Sequence, residues 1–338
     1  MVKLDNLIKL ESEEFYFIFK PANIKALSKT NETYQVSLTN EQPIIDNDCS
    51  FFFHSNTFIE RDDSVDTKYL NLYKRNNPVA TFPFVCRNNT VSSLPKSPFG
   101  GINATKDATK KELIYITEQL IKHCQTEGVQ TISITSYPRV YSPIAFNKMQ
   151  KVFFDVGFEI STADTSQYLP IDKEFRKKIK PSERRYLNHA TKEGYVFSEL
   201  SIDNLSQAYK LIKDSRENKG YPVTMNVTDL KTTIAQFPTN YFIFGLFHNN
   251  ILIATSVCIR VNSKILYNFY LGDNIGYRKR SPAVPLLKEI YNYARGNNYS
   301  TLDLGLSTEN GVINKGLFNF KESLGALTTE KPTYILSL

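Results

Sequence analysis

The order of predicted elements in the second half of the chain is the strongest constraint on its fold. Apolar and β-branched runs predict three consecutive strands, at 241–247, 251–261 and 264–271. The helical and strand patterns that follow alternate, at 282–296, 301–305, 313–323 and about 333–337. Antiparallel neighbours need only short turns, whereas parallel neighbours need a crossover connection. The combination predicts a mixed sheet flanked by helices, an α/β fold.

The two halves of the chain share an order of sequence signals. In the first half, Lys96-Ser97-Pro98 precedes a helix, a strand at 131–135 and a second helix that ends at Gly157. In the second half, Arg280-Ser281-Pro282 precedes the same series, which ends at Gly325. We interpret this as an internal duplication. The alternative is that unrelated α/β segments share the same turn and cap residues.

Length supports two lobes, because 338 residues exceed the size at which one core usually stops growing. We expect lobes at 1–172 and 173–338. No apolar run reaches the ~18 residues of a transmembrane helix, and the acidic segment 1–14 lacks the apolar stretch of a secretory signal. Four separated cysteines and four scattered histidines show no metal-ligand spacing. We therefore expect a reduced cytoplasmic protein, a monomer or weak dimer, with neither metal nor tightly bound cofactor.

Positive charge is concentrated in two places. The net charge is +7, and residues 173–193 alone hold eight Lys and Arg against three Glu. A second basic cluster is Arg278-Lys279-Arg280. Such clusters indicate an anionic partner such as a phosphate, a nucleotide or a nucleic acid. The alternative for the first cluster is a solvated amphipathic helix.

Several strings of the second half resemble FemAB-type proteins, which carry two GNAT-like lobes in tandem. The strings are Leu266-Tyr-Asn-Phe-Tyr-Leu-Gly272, Arg280-Ser-Pro282, Leu302-Asp-Leu-Gly305 and Gly316-Leu-Phe-Asn-Phe-Lys321. Ser97-Pro-Phe-Gly-Gly101 and Tyr137-Pro138 fit the first lobe. The resemblance implies transfer of an acyl or aminoacyl group to an amine, with acyl-CoA or aminoacyl-tRNA as donor. It also implies that the amine acceptor is a precursor of peptidoglycan or polysaccharide. That precursor would be either a small molecule or a lipid-linked molecule.

The sequence departs from the family pattern for both donors. A GNAT that binds CoA has a glycine-rich loop after its fourth strand, whereas Asp273–Ala283 contains one glycine, Gly276, and a proline, Pro282, that removes an amide. The tRNA-dependent relatives often carry a coiled-coil arm, and this chain has no long charged heptad segment.

The resemblance places a lysine at Lys321 close to the reacting groups, where it would stabilise negative charge. Asp303, inside a strand, is a candidate base or orienting carboxylate, and Tyr267 is a candidate general acid. A surface lysine, a structural carboxylate and a core tyrosine are the alternatives. Candidate substrate-binding residues are Tyr270, Asn268, Arg216, Tyr221, Ser307, Asn314 and Phe320. Candidate residues for an anionic carrier are Arg278, Arg280, Ser281, Arg184 and Arg185.

Two functions from different classes remain open at this stage. The first is FemAB-like acyl or aminoacyl transfer, with the site between strands 264–271 and 301–305. The second is a catalytically silent protein that binds a nucleotide-bearing ligand or a nucleic acid through its basic clusters. Substitution of Lys321 and Asp303 separates them, because a pure binder has no turnover to lose.

Overall fold

The computed structural model describes residues 24–25, 34–45, 51–61, 66–94, 96–221 and 223–338. The predictions for segment 1–14, Cys49 and Pro222 lie outside the described residues. The chain divides into two compact units, Met1–Ala163 with Glu330–Leu338, and Asp164–Thr329. The lobe boundary at residue 172 stays a prediction.

The elements up to residue 170 belong wholly or partly to the first unit. Its helices are α1 (Asn56–Ile59), α2 (Lys110–Thr126) and α3 (Pro143–Asp155). Its strands are β1 (Ile24–Lys25), β2 (Tyr34–Thr39), β3 (Lys68–Lys74), β4 (Asn77–Arg87), β5 (Thr90–Ser92), β6 (Asn103–Ala104) and β7 (Thr131–Thr135). Strand β8 (Glu159–Pro170) begins in the first unit and ends in the second.

The second unit holds the remaining elements. Its helices are α4 (Phe175–Lys178), α5 (Pro181–Lys192), α6 (Leu205–Glu217), α7 (Val227–Gln236), α8 (Ala283–Gly296) and α9 (Lys315–Ser323). Its strands are β9 (Val196–Leu200), β10 (Tyr241–His248), β11 (Ile251–Arg260), β12 (Ile265–Asp273), β13 (Thr301–Leu306), β14 (Thr308–Glu309) and β15 (Val312–Ile313). Strand β16 (Leu327–Ser337) begins here and ends in the first unit.

Helix α2 shows how local sequence sets an element of the first unit. Thr109 and Glu112 form a reciprocal capping box at its start. Leu113, Ile116 and Leu120 recur at helical spacing and are buried in the core of the unit. In that unit the strand order is β1-β2-β3-β4-β5-β7-β16, with β6 beside β4, and β5 and β7 are parallel. Helix α2 is therefore a crossover between parallel strands.

The second unit also contains a parallel pair of strands joined by a crossover helix, in a sheet of six described strands. Its strand order is β8-β13-β12-β11-β10-β9, and the one parallel pair among these described strands is β12 with β13. Helix α8 connects that pair and buries Val284, Leu287 and Ile290 against the sheet. On the opposite face α6 approaches so closely that a Cβ at Gly272 would lie 2.6 Å from the Cα of Ile212. The predicted mixed α/β sheet is confirmed.

The structure adds elements that the sequence analysis did not assign. Strand β8 is new, and β16 begins six residues earlier than predicted. The predicted helix 313–323 begins two residues later, at Lys315, because Ile313 belongs to the hairpin β14–β15. Within the described residues, no helix is long and apolar enough to cross a membrane.

An ion-pair network fixes the end of β12 to α6. The Asp273 carboxylate, which is 7% exposed, accepts hydrogen bonds from Ser215 at 2.5 Å and from Arg278 at 3.2 Å. Lys219 lies 3.3 Å away. Burial alone raises the pKa of Asp273, but the Ser215 hydrogen bond and the charges of Lys219 and Arg278 outweigh it, so this pKa lies below its usual value. The network therefore stabilises the ionised carboxylate.

We expect Asp273→Asn to lower the free energy of unfolding by about 2 kcal/mol at neutral pH, because two cations lose a buried partner. The stability that Asp273 contributes is present above the ordinary Asp pKa and is lost as the pH falls through the lower pKa of the folded state. The deficit should therefore shrink as the pH falls below about 4. Urea unfolding at several pH values measures it. Asp214→Asn is the control, because Asp214 is half-exposed and should change stability by less than about 0.5 kcal/mol.

Candidate functional site

The parallel strands β12 and β13 separate partway along their length. Their register covers three residue pairs and ends at Tyr267 opposite Asp303, although β12 continues to Asp273 and β13 to Leu306. Polar groups near this point are therefore released from the ladder and become available for other contacts.

A bulge in β13 turns two carbonyl groups out of the ladder. Gly305 adopts a left-handed φ of 75°, and the register with β8 shifts between Asp303 and Leu306. The Asp303 side chain holds this bulge, because its Oδ1 accepts from the Gly305 amide at 2.7 Å and from the Ser166 hydroxyl at 3.1 Å. A glycine is required here, because a Cβ would also lie 3.3 Å from the Tyr267 ring.

The Lys321 amine occupies the position that the bulge creates. Its Nζ donates to the carbonyl of Gly305 at 2.8 Å and to that of Leu306 at 2.7 Å, and the residue is 5% exposed. Burial lowers the pKa of Lys321 to about 7, although the nearby Asp303 charge favours the protonated form. The interpretation of Lys321 as a surface lysine is therefore wrong.

A chain of buried polar side chains runs alongside this lysine. Ser307 donates to Gln167 Oε1 at 2.6 Å, and both residues are fully buried. Ser166, which bonds Asp303, is 1% exposed. We call Ser166, Gln167, Asp303, Ser307 and Lys321 the buried polar cluster. Each of these groups is paired, as buried polar groups must be, and we take the cluster as the candidate functional site.

Tyr267 borders the cluster on the α6 side of the sheet. Burial and the Asp303 charge raise the pKa of its hydroxyl, while Arg216 acts in the opposite direction. Arg216 lies over the Tyr270 ring, 5.6 Å from its centroid. The Tyr270 hydroxyl bonds the Thr224 hydroxyl at 2.7 Å. Tyr267 and Arg216 are thus near one another, whereas the Tyr270 hydroxyl is engaged by the α6–α7 loop.

Strict alternation along β12 predicts Asn268 and Tyr270 on one face, and the structure differs. Val257 pairs with Tyr270 and Cys258 with Asn268, so Phe269 is the extra residue of a bulge. Tyr270 therefore packs against Phe269, with ring centroids 4.1 Å apart. Asn268 lies on the α8 side and accepts from Ser256 at 2.5 Å, away from Lys321.

The beginning of α9 meets the loop that follows α6. Asn314 caps α9 by accepting from Leu317 at 3.0 Å, and its amide donates to the Tyr221 hydroxyl. These two predicted residues are therefore brought together. Phe320 instead is partly buried against the core of the second unit, so its aromatic ring contributes to stability.

The candidate anion-binding residues do not gather at the buried polar cluster. Arg278 is paired with Asp273 and donates to Asn218 at 2.6 Å. Arg280 is exposed and lies over the Tyr277 ring, and Ser281 has a left-handed φ of 42° just before α8.

Arg184 and Arg185 lie on α5, where Arg185 donates to the Ser182 carbonyl at 3.4 Å. In the described part of the chain, no hydrogen bond or ion pair joins them to the buried polar cluster. Within that part, no group of three His, Cys, Asp or Glu side chains is placed to hold a metal ion.

Sequence reasoning missed Ser166, Gln167 and the role of Gly305. The signal for the first two is a pair of polar residues in a segment that turns out to be a buried strand. The signal for Gly305 is a glycine two residues after a strand carboxylate, a spacing that suits a bulge closed by the carboxylate.

Comparison with solved structures identifies the fold. FemX superposes with a TM-score of 0.65 at 12% identity, over 85% of this chain and 92% of that chain. A conserved protein of unknown function from Bacteroides thetaiotaomicron gives 0.59 at 11% identity, over 87% and 94%. The C-terminal domain of a putative lysylphosphatidylglycerol synthetase from Agrobacterium fabrum gives 0.51 at 10% identity, over 76% and 81%.

No protein-family model matches the chain, and no curated protein matches it. At identities this low the structural likeness establishes the fold alone. The chain has the fold of FemX, and the FemAB-like fold that the sequence resemblance implied is therefore confirmed.

We expect Gly305→Ala to lower the free energy of unfolding by about 2–4 kcal/mol, through a disfavoured φ and crowding against Tyr267. Gly194→Ala is the matched control, because Gly194 has a φ of 68° with no atom within 4 Å of an added Cβ. Gly194→Ala should lower the free energy of unfolding by only about 1 kcal/mol. Chemical unfolding of both variants measures the difference. Equal losses would show that the contact with Tyr267 is unimportant.

Proposed function

We propose that the second unit transfers an acyl or aminoacyl group to an amine acceptor. The observation that supports this most strongly is the Lys321 amine, buried on the Gly305 and Leu306 carbonyls beside Asp303. A buried amine that titrates near neutral pH is costly to maintain, and such groups are concentrated at catalytic sites. The FemAB-like fold is compatible with this chemistry, which the sequence resemblance also implies.

In the proposed reaction the acceptor nitrogen attacks the donor carbonyl carbon and forms the new C–N bond. The bond from that carbon to the carrier oxygen or sulfur breaks, and the proton lost by the amine ends on the carrier. Two N–H groups of Lys321 are directed to carbonyls, so the ammonium has a third N–H to donate to the oxyanion. Because its pKa is raised, the Tyr267 hydroxyl stays protonated and can donate to the leaving group.

Asp303 has a positioning role in this proposal. Its carboxylate holds the Gly305 amide, and the Gly305 carbonyl in turn holds Lys321. Arg216, Tyr221 and Asn314 border the site and are proposed to contact the substrate. For the donor we propose an acyl-CoA or an aminoacyl-tRNA, and for the acceptor an amine of a peptidoglycan or polysaccharide precursor. The resemblance of the sequence to FemAB-type proteins is the support for these classes.

A direct test incubates the purified chain with acyl-CoA or aminoacyl-tRNA donors and candidate amine acceptors, and follows amide formation by mass spectrometry. The proposal requires a product that depends on both substrates. Thermal shifts can select the substrates first, because a ligand at ~100 times its Kd adds about 2.7 kcal/mol. If the chain binds a nucleotide-bearing ligand but forms no product with any donor, the alternative of a catalytically silent binding protein is favoured instead.

We expect Lys321→Met to reduce kcat at least ~100-fold, which corresponds to about 2.7 kcal/mol of transition-state stabilisation. Methionine keeps much of the side-chain volume, so a loss of activity is less easily confused with unfolding than in Lys321→Ala. Lys315→Met is the control, because Lys315 is an exposed lysine at the start of the same helix. Activity close to that of the unmodified chain in Lys321→Met would remove this residue from the proposal.

The pH dependence of kcat tests the protonation state that Lys321 uses. Its lowered pKa means that the ammonium is lost as the pH rises through about 7. If the ammonium stabilises the oxyanion, kcat should contain a limb that falls above this pH, and Lys321→Met should lack it. A limb that rises through pH 7 and disappears in the same variant would instead assign proton abstraction to the neutral amine.

A further inference from the structure

Three aliphatic side chains are exposed at one end of the sheet in the second unit. Val196 is 60% exposed, and Ile251 and Ile275 are each 50% exposed. They lie at the ends of neighbouring strands, since Val196 pairs with Phe247 and Ile251 pairs with His248. Ile275 follows Asn274, whose amide donates to the Ile253 carbonyl of β11. The three residues therefore lie at the same end of β9–β12. Val196 and Ile251 face opposite sides of the sheet there, because they pair with successive residues of β10.

Cations lie near the same end of the sheet. Lys192, at the end of α5, and Lys279 and Arg280, after β12, are exposed. Arg280 lies beside the Tyr195 hydroxyl and over the Tyr277 ring, and Tyr277 contacts His248 at 3.3 Å. Glu193 is the opposing charge, and it lies 3.8 Å from His248. We call Val196, Ile251, Ile275, Lys279 and Arg280 the sheet-end surface.

The charge of the whole chain is carried by this unit. Residues 164–329 contain 22 Lys and Arg against 15 Asp and Glu, so their net charge equals the +7 of the full sequence. The remaining residues are balanced. Exposed aliphatic side chains beside cations, at one end of a positively charged unit, have the composition of a surface that binds anionic lipid headgroups while the aliphatic side chains enter the interface.

We propose that the sheet-end surface docks this protein on an anionic phospholipid bilayer. Nucleic acid fits less well, because exposed aliphatic side chains offer its bases no ring to stack on. Since β12 and β13 are parallel, the bulge at Gly305 that holds Lys321 is directed toward the same end of the sheet. Docking would thus bring that end to the membrane. The inference stands apart from acyl transfer, because the surface shares no residue with the buried polar cluster.

The test measures co-sedimentation of the full chain with phosphatidylcholine vesicles, with and without about one third phosphatidylglycerol. We expect binding to the anionic vesicles only. Val196→Ser/Ile251→Ser/Ile275→Ser should weaken it at least tenfold, because the aliphatic anchor is lost. Ile44→Ser/Ile144→Ser is the matched control, because these side chains are 87% and 82% exposed in the other unit. It should bind as the unmodified chain does.

A second pair of variants tests the contribution of the cations to vesicle binding. Lys279→Glu/Arg280→Glu should weaken binding at least about 30-fold, since each cation near the surface contributes about fivefold. Lys210→Glu/Lys213→Glu changes the net charge equally on exposed residues of α6 and should weaken it much less. Circular dichroism checks that every variant is folded.

Several results would overturn the proposal. They are no binding to anionic vesicles, equal losses in the two charge variants, or undiminished binding in the triple serine variant. RNA binding in place of vesicle binding, or a dimer that the triple serine variant dissociates, would assign the surface to a different partner.

Discussion

The contact between the Lys321 amine and the Gly305 and Leu306 carbonyls is the interaction on which the candidate site depends. An amine can be buried only where acceptors replace its water. These acceptors are available because Gly305 takes a left-handed conformation and its carbonyl leaves the ladder. That conformation is held in turn by Asp303, which accepts from the Gly305 amide. A change at any of the three therefore alters the other two.

Strand β8 links this site to a part of the sequence that precedes the predicted lobe boundary. Its residues Ser166 and Gln167 contact Asp303 and Ser307, and its main chain pairs with β13. A fragment that begins at residue 173 would lack both side chains and would expose the edge of β13. The polar cluster is thus completed by a segment that lies between α3 and α4 in the chain.

Elements with a strong local pattern could be predicted from the sequence. The strand β7 coincides with its predicted bounds, 131–135, and the helix α3 ends two residues before the predicted Gly157, because each buries one periodic face. Lys321 and Asp303 were identified through family resemblance and the unusual position of a carboxylate in a strand. Strand β8 could not be found this way, since Glu159–Gln167 is rich in Ser, Thr and acidic residues. The bulges at Phe269 and Gly305 depend on partner strands that local patterns do not specify.

The positions of the basic clusters could be predicted from the sequence, but the pairing of each cation could not, and pairing decides what each cation does. Arg278 is neutralised by Asp273, and Lys180 by Glu322 at 2.7 Å, whereas Lys279 and Arg280 remain exposed. Salt screens exposed charges over about 10 Å at 0.1 M, but it acts much less on a buried group. Electrostatic attraction at the sheet-end surface should therefore weaken as salt rises, while the protonation of Lys321, set by burial and by Asp303, should change little. Ionic strength thus separates the two roles of positive charge within one unit.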